Sequence, residues 1–196
     1  MDKQTEEILQ KIEEAEYVLV GLGQEFDMEF FLQSREDYRR IREQLQQQNV
    51  LWLLPYVEEQ FRRQYLPEME AEIEKGLQKL AKVLEIKSYF VVSSSLNHKL
   101  AEVPWKKMLL KKERFVAPCG DWTKKQCPDG CEEGIQTVTE ADEEQLQESF
   151  KKLQTNGFSV PDLGKCPKCG KKLVLNNVYA GRYDEKGYLK TWTEYQ

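Results

Sequence analysis

Near the start of the chain, Ile8, Ile12 and Ala15 recur at helical spacing among charges, which predicts an amphipathic helix over residues 3–16. The pattern then changes to a short apolar run, Tyr17-Val18-Leu19-Val20-Gly21-Leu22-Gly23, a strand ending in Gly-x-Gly. Ser34-Arg35-Glu36-Asp37 reads as an acidic form of the capping box and predicts a helix to about Gln48. Residues 50–63, with Trp52, Leu53, Leu54, Tyr56, Val57 and Phe61, predict another helix interrupted near Pro55. With Tyr65, their aromatic residues read as the core of a small helical subdomain. Pro67 suits the first turn of a long helix to about Leu84, where a missing N–H costs nothing. The β-branched and aromatic residues of 87–93 predict a buried strand, and 114–117 a weaker one. Thr139-Glu140-Ala141-Asp142 caps a polar helix to about Leu153, with Leu146, Phe150 and Leu153 as its inner stripe. Residues 173–175 and 178–180 suggest two further strands.

Strands alternating with long helices predict an α/β fold built on a parallel sheet. Composition agrees: 196 residues, 40% hydrophobic and 32% charged, suit a globular protein able to bury a core. No stretch approaches the roughly 20 apolar residues of a membrane span. The net charge of -5 argues against nucleic acid as a partner of the whole chain. One segment is locally basic, carrying Lys99, Lys106, Lys107, Lys111, Lys112, Arg114, Lys124 and Lys125. It reads as a solvated face that could meet an anionic ligand, with a nucleic-acid-binding ribbon using Lys106 to Lys125 as the sharper reading.

The chemistry concentrates in cysteine. Cys127 and Cys131 form a C-x3-C pair, Cys166 and Cys169 a C-P-K-C-G pair, and each pair has Pro and Gly beside it to make the tight turns. Four thiolates so spaced predict a closed, structural Zn²⁺ site. Disulfides are the rival, and they would leave Cys119 over. Reduced thiols without a secretory leader predict a cytoplasmic protein. Gly21-Leu22-Gly23 after a strand is compatible with backbone approach to a pyrophosphate. Glu25, Asp27 and Glu29 follow at once and would compete with a bound phosphate, so a plain strand-to-helix turn with acidic caps is an equal reading. The lone His98 reads as a surface or loop histidine, and Cys119 as either a reactive thiolate or an inert one.

Taken together, the order of features resembles a sirtuin, the family of NAD-dependent protein lysine deacylases, over residues 17–182. Residues 17–23 are similar to its opening strand and Gly-Ala-Gly turn. The strand with Ser93, Ser94, Ser95, Leu96 and Asn97 resembles the one ending Thr-x-Asn-Ile-Asp. Pro118-Cys119-Gly120 ahead of Cys127 resembles its His-Gly motif. Cys166-Pro167-Lys168-Cys169-Gly170, running on to Asn177-Val178-Tyr179-Ala180-Gly181, resembles its second zinc pair and the strand after it. The resemblance implies a Rossmann-like parallel sheet, incomplete at the C-terminus, with an inserted four-cysteine zinc-ribbon module and a small helical subdomain. Residues 1–118 with 173–196 would form the partial dinucleotide-binding domain and 119–172 the module.

The resemblance also implies a site. Gly21 and Gly23 would cradle phosphate, Ser95 and Asn97 would line the nicotinamide side, and Cys119 would stand at the catalytic position where the family has its histidine base. A thiol titrating near 8.5 is a poor substitute for imidazole near 6.5. The family's Gly-Ile-Pro-Asp-Phe-Arg loop has no counterpart between Gln24 and Arg42. The expectation is a degenerate member or truncated fragment that binds NAD or ADP-ribose, a transferase acting on acylated lysine if active. A catalytically inactive, zinc-stabilised module docking a protein partner is the alternative.

Overall fold

The computed structural model describes residues 3–100, 114–131 and 135–183. Helix α1 (Lys3–Glu14) leads into strand β1 (Tyr17–Leu22). A short 3-10 turn (Gln24–Asp27) and Met28, at φ 58°, redirect the chain into α2 (Glu29–Gln33). Then come α3 (Glu36–Gln47), a 3-10 turn (Leu51–Leu53), α4 (Leu54–Tyr65), α5 (Pro67–Leu84) and β2 (Ser88–Ser93). The rest is β3 (Phe115–Val116), β4 (Gly120–Gln126), β5 (Gln136–Thr137), α6 (Glu140–Gln154) and β6 (Val174–Asn177).

Two three-stranded sheets result. The first has the order β1-β2-β3 and is parallel, with Leu19 opposite Phe90 and Val92 opposite Val116. The second has the order β5-β4-β6 and is antiparallel. The fold is therefore mixed α/β with a parallel three-stranded sheet. Three expectations differ from it. Residues 174–177 pair with β4 in the antiparallel sheet, beside the cysteines, and 178–180 form a turn. The segment 120–126, read only as part of a basic stretch, is that sheet's central strand. Gly120 makes this pairing possible, since at φ +71° a Cβ there would collide with the Asn176 carbonyl. Finally, the acidic capping box at 34–37 does not form. Arg35 precedes α3 without a side-chain cap, Asp37 Oδ1 accepts the Tyr38 N–H at 2.9 Å, and Ser34 Oγ donates back to Phe31 O at 2.7 Å, closing α2 instead. The box predicted for α6 does form, with Thr139 Oγ1 accepting from the Asp142 N–H at 3.3 Å and Asp142 Oδ2 from the Thr139 N–H at 2.8 Å.

The packing falls into two clusters. The larger joins α2–α4 to the antiparallel sheet and the cysteines: Tyr38, Ile41, Trp52 and Phe61 meet Trp122, Cys127, Leu146, Phe150 and Leu175. Phe61 and Phe150 stack edge to face at 5.8 Å between ring centroids, as do Tyr56 and Trp122 at 5.3 Å. The smaller seats Leu77, Ala81 and Leu84 of α5 on Leu22, Tyr89 and Val91 of the parallel sheet. Buried polar ties hold the larger cluster together. Lys125 Nζ donates to Asp142 Oδ1 (2.9 Å) and Oδ2 (2.7 Å) and to Leu163 O (2.9 Å). Asn177 Nδ2 donates to Trp52 O at 2.9 Å. Among the described residues, no helix is long and apolar enough to cross a membrane.

Candidate functional site

The first candidate centre is built by two turns. Cys127 follows the last residue of β4, and Gly130, at φ +68°, donates its N–H to Cys127 O at 2.9 Å. The second turn repeats the device: Gly170, at φ +73°, donates to Cys166 O at 2.8 Å, while the Cys166 N–H reaches Lys171 O at 2.8 Å. Lys171 Nζ then crosses to Asp129 Oδ1 at 2.8 Å and links the two turns. The four sulfurs of Cys127, Cys131, Cys166 and Cys169 all lie within 4.8 Å of one another. These cysteines are free thiols, as is Cys119. Burial would raise Cys127, but the N–H groups of Cys131 and Asp129 and the bonds from Cys169 and Cys166 outweigh it and hold that thiol at about 7. Cys131 is pushed up to about 12, first by its bond to Cys127 and then by burial. One thiolate thus forms readily, and its charge opposes the next. A cation is what allows several to ionise together. The four cysteines are positioned to hold a metal ion.

The second candidate is the set of residues at the carboxyl ends of the parallel strands. Gly23 follows β1, Ser95 and Asn97 follow β2, and Cys119 follows β3. Gly21 lies inside β1 opposite Val92, away from the turn. Ser95 and Asn97 are buried, and Asp27 organises them. Its Oδ1 accepts from the Ser95 hydroxyl, from the Leu96 N–H at 2.9 Å and from the Asn97 N–H at 3.1 Å. Burial raises the Asp27 carboxyl, and Ser95 and Arg62 only partly offset this. Arg62, itself buried, donates from Nη1 to Asp27 O at 3.3 Å and from Nε to Glu70 Oε1 at 3.2 Å. Cys119 is half-buried, and its thiol is pushed up first by burial and then by the charge of Asp27.

The glycine turn already holds an anion of its own. Glu25 Oε1 accepts the Gly23 N–H at 3.1 Å, and a Cβ on Gly23 would collide with that carboxylate. In donor type the strand ends fit a phosphate, because they carry the backbone N–H groups of Gly23, Leu96 and Asn97. In the present arrangement Glu25 and Asp27 take those donors.

His98 corrects the surface reading. It is buried, with Nδ1 2.8 Å from Glu59 Oε2 and its ring edge-on to Trp122 at 5.1 Å. Trp122 Nε1 donates to the same carboxylate oxygen, and Arg63 pairs with the other. Burial would raise Glu59, but the His98 bond and charge, Arg63 and Trp122 prevail and hold it at about 2. Its neighbour Glu58, buried with the Tyr38 hydroxyl donating to it at 2.6 Å, is pushed up to about 7 by burial. The signal for these residues was the presence of Glu58, Glu59 and Arg62 within the apolar run of α4, where charges survive only when paired. Of the basic stretch, Lys106, Lys107, Lys111 and Lys112 lie outside the described residues. Lys99 pairs with Glu70, and Lys125 is buried against Asp142. Comparison with protein-family models and with curated proteins finds no match to this chain.

Proposed function

We propose that this chain is a zinc-stabilised, sirtuin-like protein that binds NAD or ADP-ribose and does not carry out family-type deacylation. One observation carries the nucleotide reading: Gly23, Ser95, Asn97 and Cys119 converge at the carboxyl ends of three adjacent parallel strands, where open α/β sheets take their ligands. Gly23 would offer its N–H to phosphate, and Ser95 and Asn97 would line the buried side. Cys119 stands at the base position with its thiol raised, so it is protonated at neutral pH and is no general base. Zinc is the ion that suits four thiolates. Ligands at about 2.3 Å in a tetrahedron put sulfurs about 3.8 Å apart, and Cys127 and Cys169 already stand 3.4 Å apart.

Titration calorimetry of the zinc-loaded protein with ADP-ribose and NAD tests the first part, and absence of heat with both overturns it. Elemental analysis of the reduced protein tests the second, with one zinc per chain expected.

A second reading, a partner-docking module without nucleotide, draws on the exposed Phe30 and Phe31 of α2 and on Tyr17 and Leu19 of β1. On this reading a partner recovered by the parent in a pull-down is lost with Phe30→Ser, and equal recovery by both proteins counts against it.

A further inference from the structure

We infer that Glu25 is a built-in competitor for the phosphate of a nucleotide, an internal anion that must swing away before a phosphate can take the Gly23 N–H. The inference rests on the nucleotide reading and adds to it a residue that sets affinity.

The geometry is local and specific. Gly23 directly follows β1, and its N–H is the donor a phosphate would use there. Glu25, two residues on, folds back and accepts that N–H at 3.1 Å. Its carboxylate fills the space a side chain on Gly23 would need, so the room that glycine leaves open is taken by a neighbour. Contrast Gly21, where a Cβ would meet nothing within 4 Å. The two carboxylates of the turn differ in how they are held. Asp27 is buried and pinned by three donors from the loop after β2, so it belongs to the scaffold. Glu25 is exposed, so rotating its side chain outward disturbs no buried contact. A phosphate arriving at Gly23 must break the Glu25 bond and meet a like charge in passing. Both effects weaken binding, and both vanish when the carboxylate is neutralised or removed.

The test compares the parent protein, Glu25→Gln, Glu25→Ala and Glu85→Gln. The last removes the same charge at an exposed site on the far end of the sheet. Each is titrated calorimetrically with ADP-ribose and with adenosine, after circular dichroism and zinc content have matched the parent. The expected result is ADP-ribose binding about tenfold tighter in both Glu25 variants. Glu85→Gln should be unchanged, and adenosine should show no difference between proteins. Equal ADP-ribose affinity in parent and Glu25 variants would overturn the inference while leaving the nucleotide reading intact. A gain as large in Glu85→Gln would overturn it too, as an effect of net charge.

A second readout needs no nucleotide. In the parent, the Gly23 amide proton should resonate downfield of its position in Glu25→Ala, which removes the acceptor. If no protein binds ADP-ribose, the nucleotide reading fails and this arm alone judges the contact. A Gly23 amide that ignores Glu25 sinks it.

Discussion

The two cores of this molecule solve the same problem differently. The larger one closes on all sides: helices α2–α4 and α6 lie against the antiparallel sheet, and the cysteine turns complete the enclosure. Its polar groups are tied inside it by Lys125, Asn177 and the Glu59 pair. Among the described residues, α5 packs on one face of the parallel sheet through Leu77, Ala81 and Leu84, and on the opposite face Phe90 of β2 is buried while β1 is open. On the other face of β1, Tyr17 is 77% and Leu19 66% exposed, and nearby in sequence Ile86 is 83% exposed. Parallel sheets are ordinarily covered on both faces. Among the described residues β1 is also an edge strand, and its six residues carry neither charge nor proline to guard that edge. The difference teaches that the cysteine region is tied by buried polar pairs and four clustered sulfurs, whereas among the described residues β1 leaves one face open.

The strongest way to break this comparison is to challenge the proposed metal site. If the four cysteines hold zinc, chelation should abolish amide-exchange protection at Lys125 and Leu175, which pair across β4 and β6, since structural zinc sites contribute on the order of 10 kcal/mol. If β1 and β2 keep their protection, the two cores are separate cooperative units; if all protection is lost together, they are one. Next, Lys125→Met leaves Asp142 buried without its cation, and denaturant unfolding should show a loss of about 4 kcal/mol. Leu84→Ala, in the smaller core and fully buried, should cost about 3 kcal/mol by the same measurement.

Two neighbouring carboxyls give a pH test. Glu58 titrates at about 7 in the folded protein against an ordinary 4.5. The folded state holds that proton more firmly than the unfolded one, so stability from this group is full below 4.5 and falls as pH climbs to 7. Glu58→Gln keeps an acceptor for Tyr38 and should flatten the slope, leaving the variant at most about 3 kcal/mol more stable at pH 8 and equal at pH 4. Glu59, held at about 2, acts in the opposite sense. Its contribution is full above 4.5 and is lost as pH falls toward 2. The smallest effect belongs to the open face: Leu19→Thr should move stability by no more than about 0.5 kcal/mol. A larger loss would mean that this face is covered.

Much of this was legible in the chain. Pro67 and the box at Thr139 mark their helices because each acts within a single turn, and the cysteine spacing brings four sulfurs together because two short turns suffice. What was hidden depends on distant partners. Strand β4 carries Asp121, Lys124 and Lys125 and looks like a solvated face, and only Asp142 and Leu163, far along the chain, make Lys125 an interior residue. His98 looked like a loop histidine because nothing near it in sequence announces Glu59. Ser34 served the helix behind it where the pattern pointed ahead, a choice between two legitimate caps that local sequence does not decide.

The three-way grip of Lys125 also bears on how the cysteines meet. By holding the start of α6 and the carbonyl of Leu163, one ammonium group draws shut most of the long excursion between the first and second cysteine pairs. Loop-closure entropy that an ion would otherwise have to overcome is met beforehand by an ordinary side chain. A metal held by the four cysteines would then find a nearly finished ring, and its affinity would depend on an ion pair that never touches it.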